Sequence, residues 1–297
     1  AKLAGTQHHV PLHTLLPGGA GLLSLHCTYE VAPAEDMFFL SGLRARSYRL
    51  WYEISGDGGA SWTPQRQVID RRPGYDATHW GPDLCHGFSG AAIDLTTPLW
   101  LADGTVLFGL TLTNAPLPGT ALRDAKRGGR YGVAWLRGRW DATARDMIWE
   151  FGAPLFVDPK ASPRGLCEPG AMTPGGDLVF TAMRCQGDAA TGTPSVRYTA
   201  LSRDGGRTWD TPAPLRYDDG TPVWTPASMA SFVHHQASGQ HYFLANILPG
   251  PVTDQTPRYP LCLARFDAAR RVVIRDSVQV IQDRLPHLPE EVRYTNW

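Results

Sequence analysis

Cys167-Glu168-Pro169, then Asp177-Leu-Val-Phe-Thr-Ala-Met-Arg184, then Val196-Arg-Tyr-Thr-Ala-Leu-Ser202-Arg-Asp204-Gly205-Gly206-Arg-Thr-Trp209: this stretch decides the fold. Its apolar or alternating runs are short and separated by Gly-rich turns, which is the pattern of an antiparallel meander and not of a helix. The closing turn, Ser202-x-Asp204-Gly-Gly-x-Thr208-Trp209, recurs as Ser55-x-Asp57-Gly-Gly-x-Ser61-Trp62. Asp57 and Asp204 can accept backbone N–H groups within their own turns. The glycines permit positive φ. Trp62 and Trp209 are expected to open the next strand and to bury their rings between sheets. The repeated motif therefore reads as structural, and its Asp residues as non-catalytic.

The remainder of the chain fits this pattern. Its 297 residues, 42% hydrophobic and 19% charged, suffice for one large all-β core, so residues 1–297 are expected to form a single domain. With 31 Gly and 25 Pro, many turns are expected, and the 10 Trp and 10 Tyr favour strands and suit sugar-binding clefts. A formal net charge of +0 gives no general attraction to nucleic acid or membrane, so an anionic substrate would need a local Arg cluster. The 5 cysteines contain no CxxC, which argues against a zinc ribbon. Cys167 and Cys185 fall on neighbouring expected strands, and free buried thiols are the expectation. No apolar run is long enough for a transmembrane helix, so no membrane insertion is expected. No signal peptide is visible after the Ala-Lys start, and the compartment stays open, with a secreted or periplasmic setting favoured.

The repeated turn resembles the Asp-box (BNR) proteins, best known from the sialidases. The resemblance implies an all-β propeller of four-stranded antiparallel blades, five or six in number. A first blade is expected over Leu22–Ile69, with Leu22–Tyr29 as inner strand, then Asp36–Leu43, Tyr48–Ile54 and Trp62–Ile69. Residues 1–20 would add an edge strand and a loop, and Asp70–Gly90 a functional loop. The second blade would comprise Ala91–Leu101, Thr105–Thr113, Tyr131–Leu136 and Ile148–Val157, with a basic insertion at Asn114–Arg130. The opening stretch, continued to Leu215, is the third. Ala227–His235, Gln240–Ile247, Tyr259–Phe266 and Val272–Ile281 form the fourth, and Val292–Trp297 begins another inner strand.

The resemblance also implies a site. Sialidases hold a substrate carboxylate with Arg forks, use a Tyr nucleophile activated by a Glu, and protonate the leaving oxygen with an acid. Glu168, Arg184, Arg258 and Tyr294 follow the family's order Glu, Arg, Arg, Tyr with comparable spacing. Glu168 and Tyr294 would be catalytic, and Arg184 and Arg258 substrate-binding. The first blade departs from the family. Where the family carries Phe/Tyr-Arg-Ile-Pro on the first inner strand, this chain reads Ser24-Leu-His26-Cys-Thr-Tyr29. The loop expected to bear the acidic Asp reads Leu43-Arg44-Ala-Arg46-Ser47. His86 and Asp83 are candidates for the missing acid, with His79 and His26 as further binding candidates, since a His can donate a proton near neutral pH.

Three functions stay open at this point. One is a sialidase-like, exo-acting glycosidase working on a carboxylated or unusual sugar in a central funnel. The second is a uronate-cleaving polysaccharide lyase using His79 or His86 with Tyr294, Arg184 and Arg258. The third is a non-catalytic carbohydrate-binding propeller. In all three the partner is a carbohydrate and no cofactor is implied. His234, His235 and His241 lack zinc spacing, and no metal is assigned.

Overall fold

The computed structural model describes residues 4–8, 11–31, 46–86, 89–94, 97–115 and 130–294. The chain divides into two compact units, Ala1–Pro154 and Leu155–Trp297. Each is built of antiparallel sheets.

In the first unit, one sheet contains β1 (Ala4–His8), β2 (Leu12–Leu15), β3 (Leu22–Val31), β4 (Arg46–Ser55) and β5 (Arg66–Gln67). Its order is β1-β3-β4-β5, with β2 also paired to β3. The alternation in β4 explains its place. Tyr48, Leu50, Tyr52 and Ile54 are buried, while Arg49, Trp51 and Glu53 between them are only half-buried, the period-2 signature of a strand with one face on a core. A short hairpin follows, β6 (His79–Gly81) with β7 (Leu84–Cys85), inside the Asp70–Gly90 segment expected to be loop. The second sheet has β8 (Gly90–Ile93), β9 (Leu99–Trp100), β10 (Thr105–Ala115), β11 (Arg130–Asp141) and β12 (Asp146–Phe151), in the order β12-β11-β10-β8. Asp70 pins the intervening loop: its carboxylate accepts the Phe151 amide (2.9 Å) and the Arg72 Nε (2.8 Å). Tyr52 and Phe108 flank Trp149 at ring-centroid distances of 5.2 and 6.2 Å.

The second unit holds β13 (Leu166–Gly175), β14 (Leu178–Cys185), β15 (Arg197–Ser202) and β16 (Ala213–Pro214) in sequential order. Its other sheet runs β17 (Ser231–His235), β18 (Gln240–Asn246), β19 (Leu261–Asp267) and β20 (Val272–Val273), with β21 (Gln279–Gln282) also on β19. An aromatic stack joins the two sheets: Phe180 and Phe232 lie 4.9 and 5.0 Å from the Phe266 ring, and Phe232 lies 5.4 Å from Phe243. Burying each such ring stabilises the unit by about 1.5–3 kcal/mol.

Both copies of the repeated turn close in the same way. Ser55 Oγ donates to Asp57 Oδ1 (2.7 Å) and accepts from the Gly59 amide (2.8 Å), while Ser61 donates its amide and hydroxyl to Asp57 (2.8 and 2.6 Å). Ser202, Asp204, Gly206 and Thr208 repeat these bonds at 2.7, 2.8, 2.9 and 2.5 Å. The Asp carboxylates are consumed inside their turns, as a structural role requires.

Two expectations are corrected. Strand Leu22–Val31 is not innermost: it pairs on one side with β1 and β2 and on the other with β4. A run of alternating residues specifies a strand but not its neighbours. Leu22–Val31 pairs with β4 along its length, Leu22 with Ser55 and Val31 with Arg46, and most of the expected loop Leu43–Ser47 lies outside the described residues. The expected strand Asp36–Leu43 and most of the basic insertion Asn114–Arg130 lie outside the described residues, as does the end of Val292–Trp297. Finally, Trp62 and Trp209 are half-buried and do not open the next strands, which begin only at Arg66 and Ala213.

Candidate functional site

The second unit gathers the Arg and Glu residues. Glu168 sits in β13 at φ 47, in the left-handed region. The register of β13 against β14 shifts between Cys167 and Gly170, so Glu168-Pro169 forms a bulge that re-aims the side chain. A non-Gly residue held there costs about 1–3 kcal/mol, and such strain is commonly stored at functional positions. Glu168 Oε1 accepts Arg184 Nη1 in an ion pair whose side chains are 24% and 8% exposed.

Strand register places the next guanidinium. Cys167 pairs with Arg184 across β13 and β14, and Arg184 pairs with Arg197 across β14 and β15. Arg197 is 1% exposed, and its Nη2 donates to the Ser228 carbonyl. Burial draws its pKa down to about 10; the Glu168 charge opposes this shift and the Arg184 charge adds to it.

Arg258 is buried too. Its Nε donates to the Gln255 carbonyl (3.1 Å), and its Nη2 to Gln255 Oε1 (3.0 Å) and to the Ala227 carbonyl (3.2 Å). Burial lowers its pKa, followed by the charges of Arg184 and Arg293, with Glu168 opposing, so Arg258 lies within electrostatic reach of the Glu168–Arg184 pair. Tyr294 is half-buried and donates its amide to the Arg258 carbonyl (3.0 Å). Buried Asn246 fixes this junction: its Nδ2 donates to the carbonyls of Arg258 (2.9 Å), Tyr294 (3.1 Å) and Pro260 (3.2 Å). Of the sequence candidates, Glu168 and Arg184 thus meet directly, Arg258 shares their field, and Tyr294 is tied to Arg258 through the backbone.

Sequence reasoning missed Arg197 and Asn246. A signal for Arg197 was present: a charged residue opening the apolar run Arg197–Leu201 is uncommon unless it is paired or functional. Asn246 ends an apolar strand, where an amide signals a polar junction.

The other candidates belong to the first unit. His26 is buried on β3 and contacts Gln65 through Nε2. His86 Nδ1 accepts Arg49 Nε (2.9 Å), and the His86 amide donates to the Thr78 carbonyl (2.9 Å). The His79 amide is capped by Asp76 Oδ1 (2.8 Å), and its ring meets Tyr75 edge-on at 5.2 Å. Asp83 turns the β6–β7 hairpin at φ 57, and its carbonyl accepts Ser89 Oγ (2.5 Å). All five cysteines are free thiols. Among the described residues no group of three or more His, Cys, Asp or Glu could hold a metal, and no helix is long and apolar enough to cross a membrane.

No family model and no curated protein matches the chain. Solved structures do match. The Hadza microbial sialidase Hz136 superposes with a TM-score of 0.54 at 15% identity, covering 94% of this chain and 46% of its own. The K499G mutant of NanB sialidase from Streptococcus pneumoniae gives 0.52 at 9% identity, covering 91% and 48%. The fold is that of the sialidase-like β-propellers. A family 117 glycoside hydrolase of Zobellia galactanivorans, Zg3597, is similar at a TM-score of 0.52 and 15% identity, covering 94% of this chain and 70% of its own. The propeller chain described here spans about half the length of the two sialidases. Within this propeller, β13 to β15 carry the Glu168, Arg184 and Arg197 row.

Proposed function

We propose that this propeller is a sialidase-like glycoside hydrolase, exo-acting on a sugar that bears a carboxylate or a similar anionic group. The observation that carries the proposal is the Glu168–Arg184 ion pair on a strained bulge, with Arg258 in its field and Tyr294 anchored to Arg258. The sialidases and the glycoside hydrolase among its structural neighbours support a carbohydrate substrate.

In this reading the guanidinium groups of Arg184 and Arg258 hold the substrate carboxylate by charge-assisted hydrogen bonds, which fixes the sugar. Glu168 takes the proton of the Tyr294 hydroxyl. The phenolate oxygen bonds to the anomeric carbon as the glycosidic C–O bond breaks, and an acid protonates the departing oxygen. Water then attacks the anomeric carbon of the glycosyl-tyrosine, giving its proton to the conjugate base of that acid as the C–O bond to Tyr294 breaks, while Glu168 returns the phenol proton and the free sugar leaves. A tyrosine nucleophile is a recognised departure from the paired-carboxylate scheme.

The test is incubation with a panel of acidic-sugar glycosides and analysis of the products. Release of a free, saturated sugar supports the proposal. An unsaturated uronate product, detected by its ultraviolet absorbance, would replace hydrolysis with elimination. Binding of the same glycans without turnover would make the propeller a binding module.

A further inference from the structure

We infer that Arg197 is a positioning residue for the proposed anion site, supplying from the neighbouring strand the positive charge that the Glu168–Arg184 pair cancels. The inference rests on the reading of an anionic sugar given above.

Three observations converge on it. First, Arg197 is in direct register with Arg184, which itself engages Glu168, so one row across three strands holds two guanidinium groups and one carboxylate. A substrate carboxylate approaching Arg184 alone would meet an already neutralised pair. With Arg197 beside it, the row keeps a net positive charge. Second, Arg197 is 1% exposed, and only its Nη2 is occupied, by the Ser228 carbonyl. Its Nε and Nη1 have no hydrogen-bond partner among the described residues. A buried cation satisfied by one carbonyl is a poor stabilising device, because desolvation of the charge is not repaid by neutral partners. Third, the Ser228 carbonyl is adjacent in sequence to that of Ala227, which accepts Arg258 Nη2 at 3.2 Å. One backbone segment therefore anchors both guanidinium groups, and displacing Arg197 would disturb the seat of Arg258. Such charge, held in a low-dielectric setting, acts on a bound anion more strongly than an exposed one would.

A packing role and a positioning role differ in what substitution does. Arg197→Met keeps much of the volume and removes the buried charge, so the positioning role expects an unchanged or raised Tm together with weaker anion binding. Arg197→Lys keeps the charge and should keep the binding. The probes are N-acetylneuraminic, glucuronic and galacturonic acids, each measured by calorimetry against its own methyl ester, which removes only the charge. The expected result is a preference of the wild type for at least one acid over its ester. R197M should lose about tenfold in affinity for that acid, as befits a unit charge acting over several ångströms, with ester binding unchanged and R197K close to wild type. If R197M retains the acid preference, whatever its Tm, the inference is overturned and the glycosidase reading stands. If R197M does not fold, R197K decides: loss of the preference in that variant overturns the inference, and its retention supports it. If the wild type prefers no acid to its ester, the anionic-sugar reading fails, and the inference with it.

Discussion

Arg184 and Arg197 stand opposite each other on antiparallel β14 and β15, both buried, with Glu168 bonded to the first of them. Like charges facing across a ladder destabilise it. Their retention in a well-packed sheet marks this row as the place where the propeller departs from simple core packing.

Replacing Glu168 with Gln keeps the shape of the side chain and removes its capacity to take a proton. On a carboxylated sugar that the wild type hydrolyses, Glu168→Gln is expected to lower kcat by about 10²–10⁴-fold, the range for a lost general base. Steady-state kinetics decide this, and unchanged turnover removes Glu168 from the proposed mechanism.

The two Asp turns give the fold an acid limit. Hydrogen bonds from the Ser61 hydroxyl and amide and from Ser55 hold Asp57 at about 2. At Asp204, burial raises the pKa, and bonds from Thr208, Ser202 and Arg207 outweigh it to reach about 2. Both folded values lie below the ordinary 3.8, so each contributes stability that is complete above that value and lost as pH falls toward 2. Asp204→Asn should lower the neutral-pH Tm and flatten its decline between those two values. A decline as steep as that of the wild type contradicts the assignment.

His241 adds a dependence at milder pH. Burial first, then the charge of His234 stacked at 4.5 Å, lowers its pKa, opposed by a backbone hydrogen bond to Thr173. The unfolded chain then binds the proton more readily, so stability falls as pH drops below the ordinary value of 6.5. His241→Gln should reduce that fall in a urea midpoint series, and an identical series would refute the shift.

Gly90 marks a close approach between the two sheets of the first unit. A Cβ there would lie 2.3 Å from the Tyr48 amide nitrogen and 2.5 Å from its carbonyl oxygen, and backbone atoms cannot swing aside. Gly90→Ala is expected to cost about 1–3 kcal/mol, as overpacking does. Chemical denaturation measures this, and an unchanged midpoint would mean the strands are not so close.

The sequence by itself determined the antiparallel strand pattern of most described residues, the two Asp turns and the order Glu168, Arg184, Arg258, Tyr294, because alternation, turn chemistry and residue order are local properties of the chain. It named Glu168 and Arg184, which do meet. Only the tertiary structure decided that Leu22–Val31 sits between other strands, that a bulge turns Glu168 toward Arg184, and that Arg197 and Asn246 complete the arrangement. The reason is physical. Strand pairing and register are set by contacts between residues far apart in sequence, and a single-residue bulge reverses the face a side chain occupies.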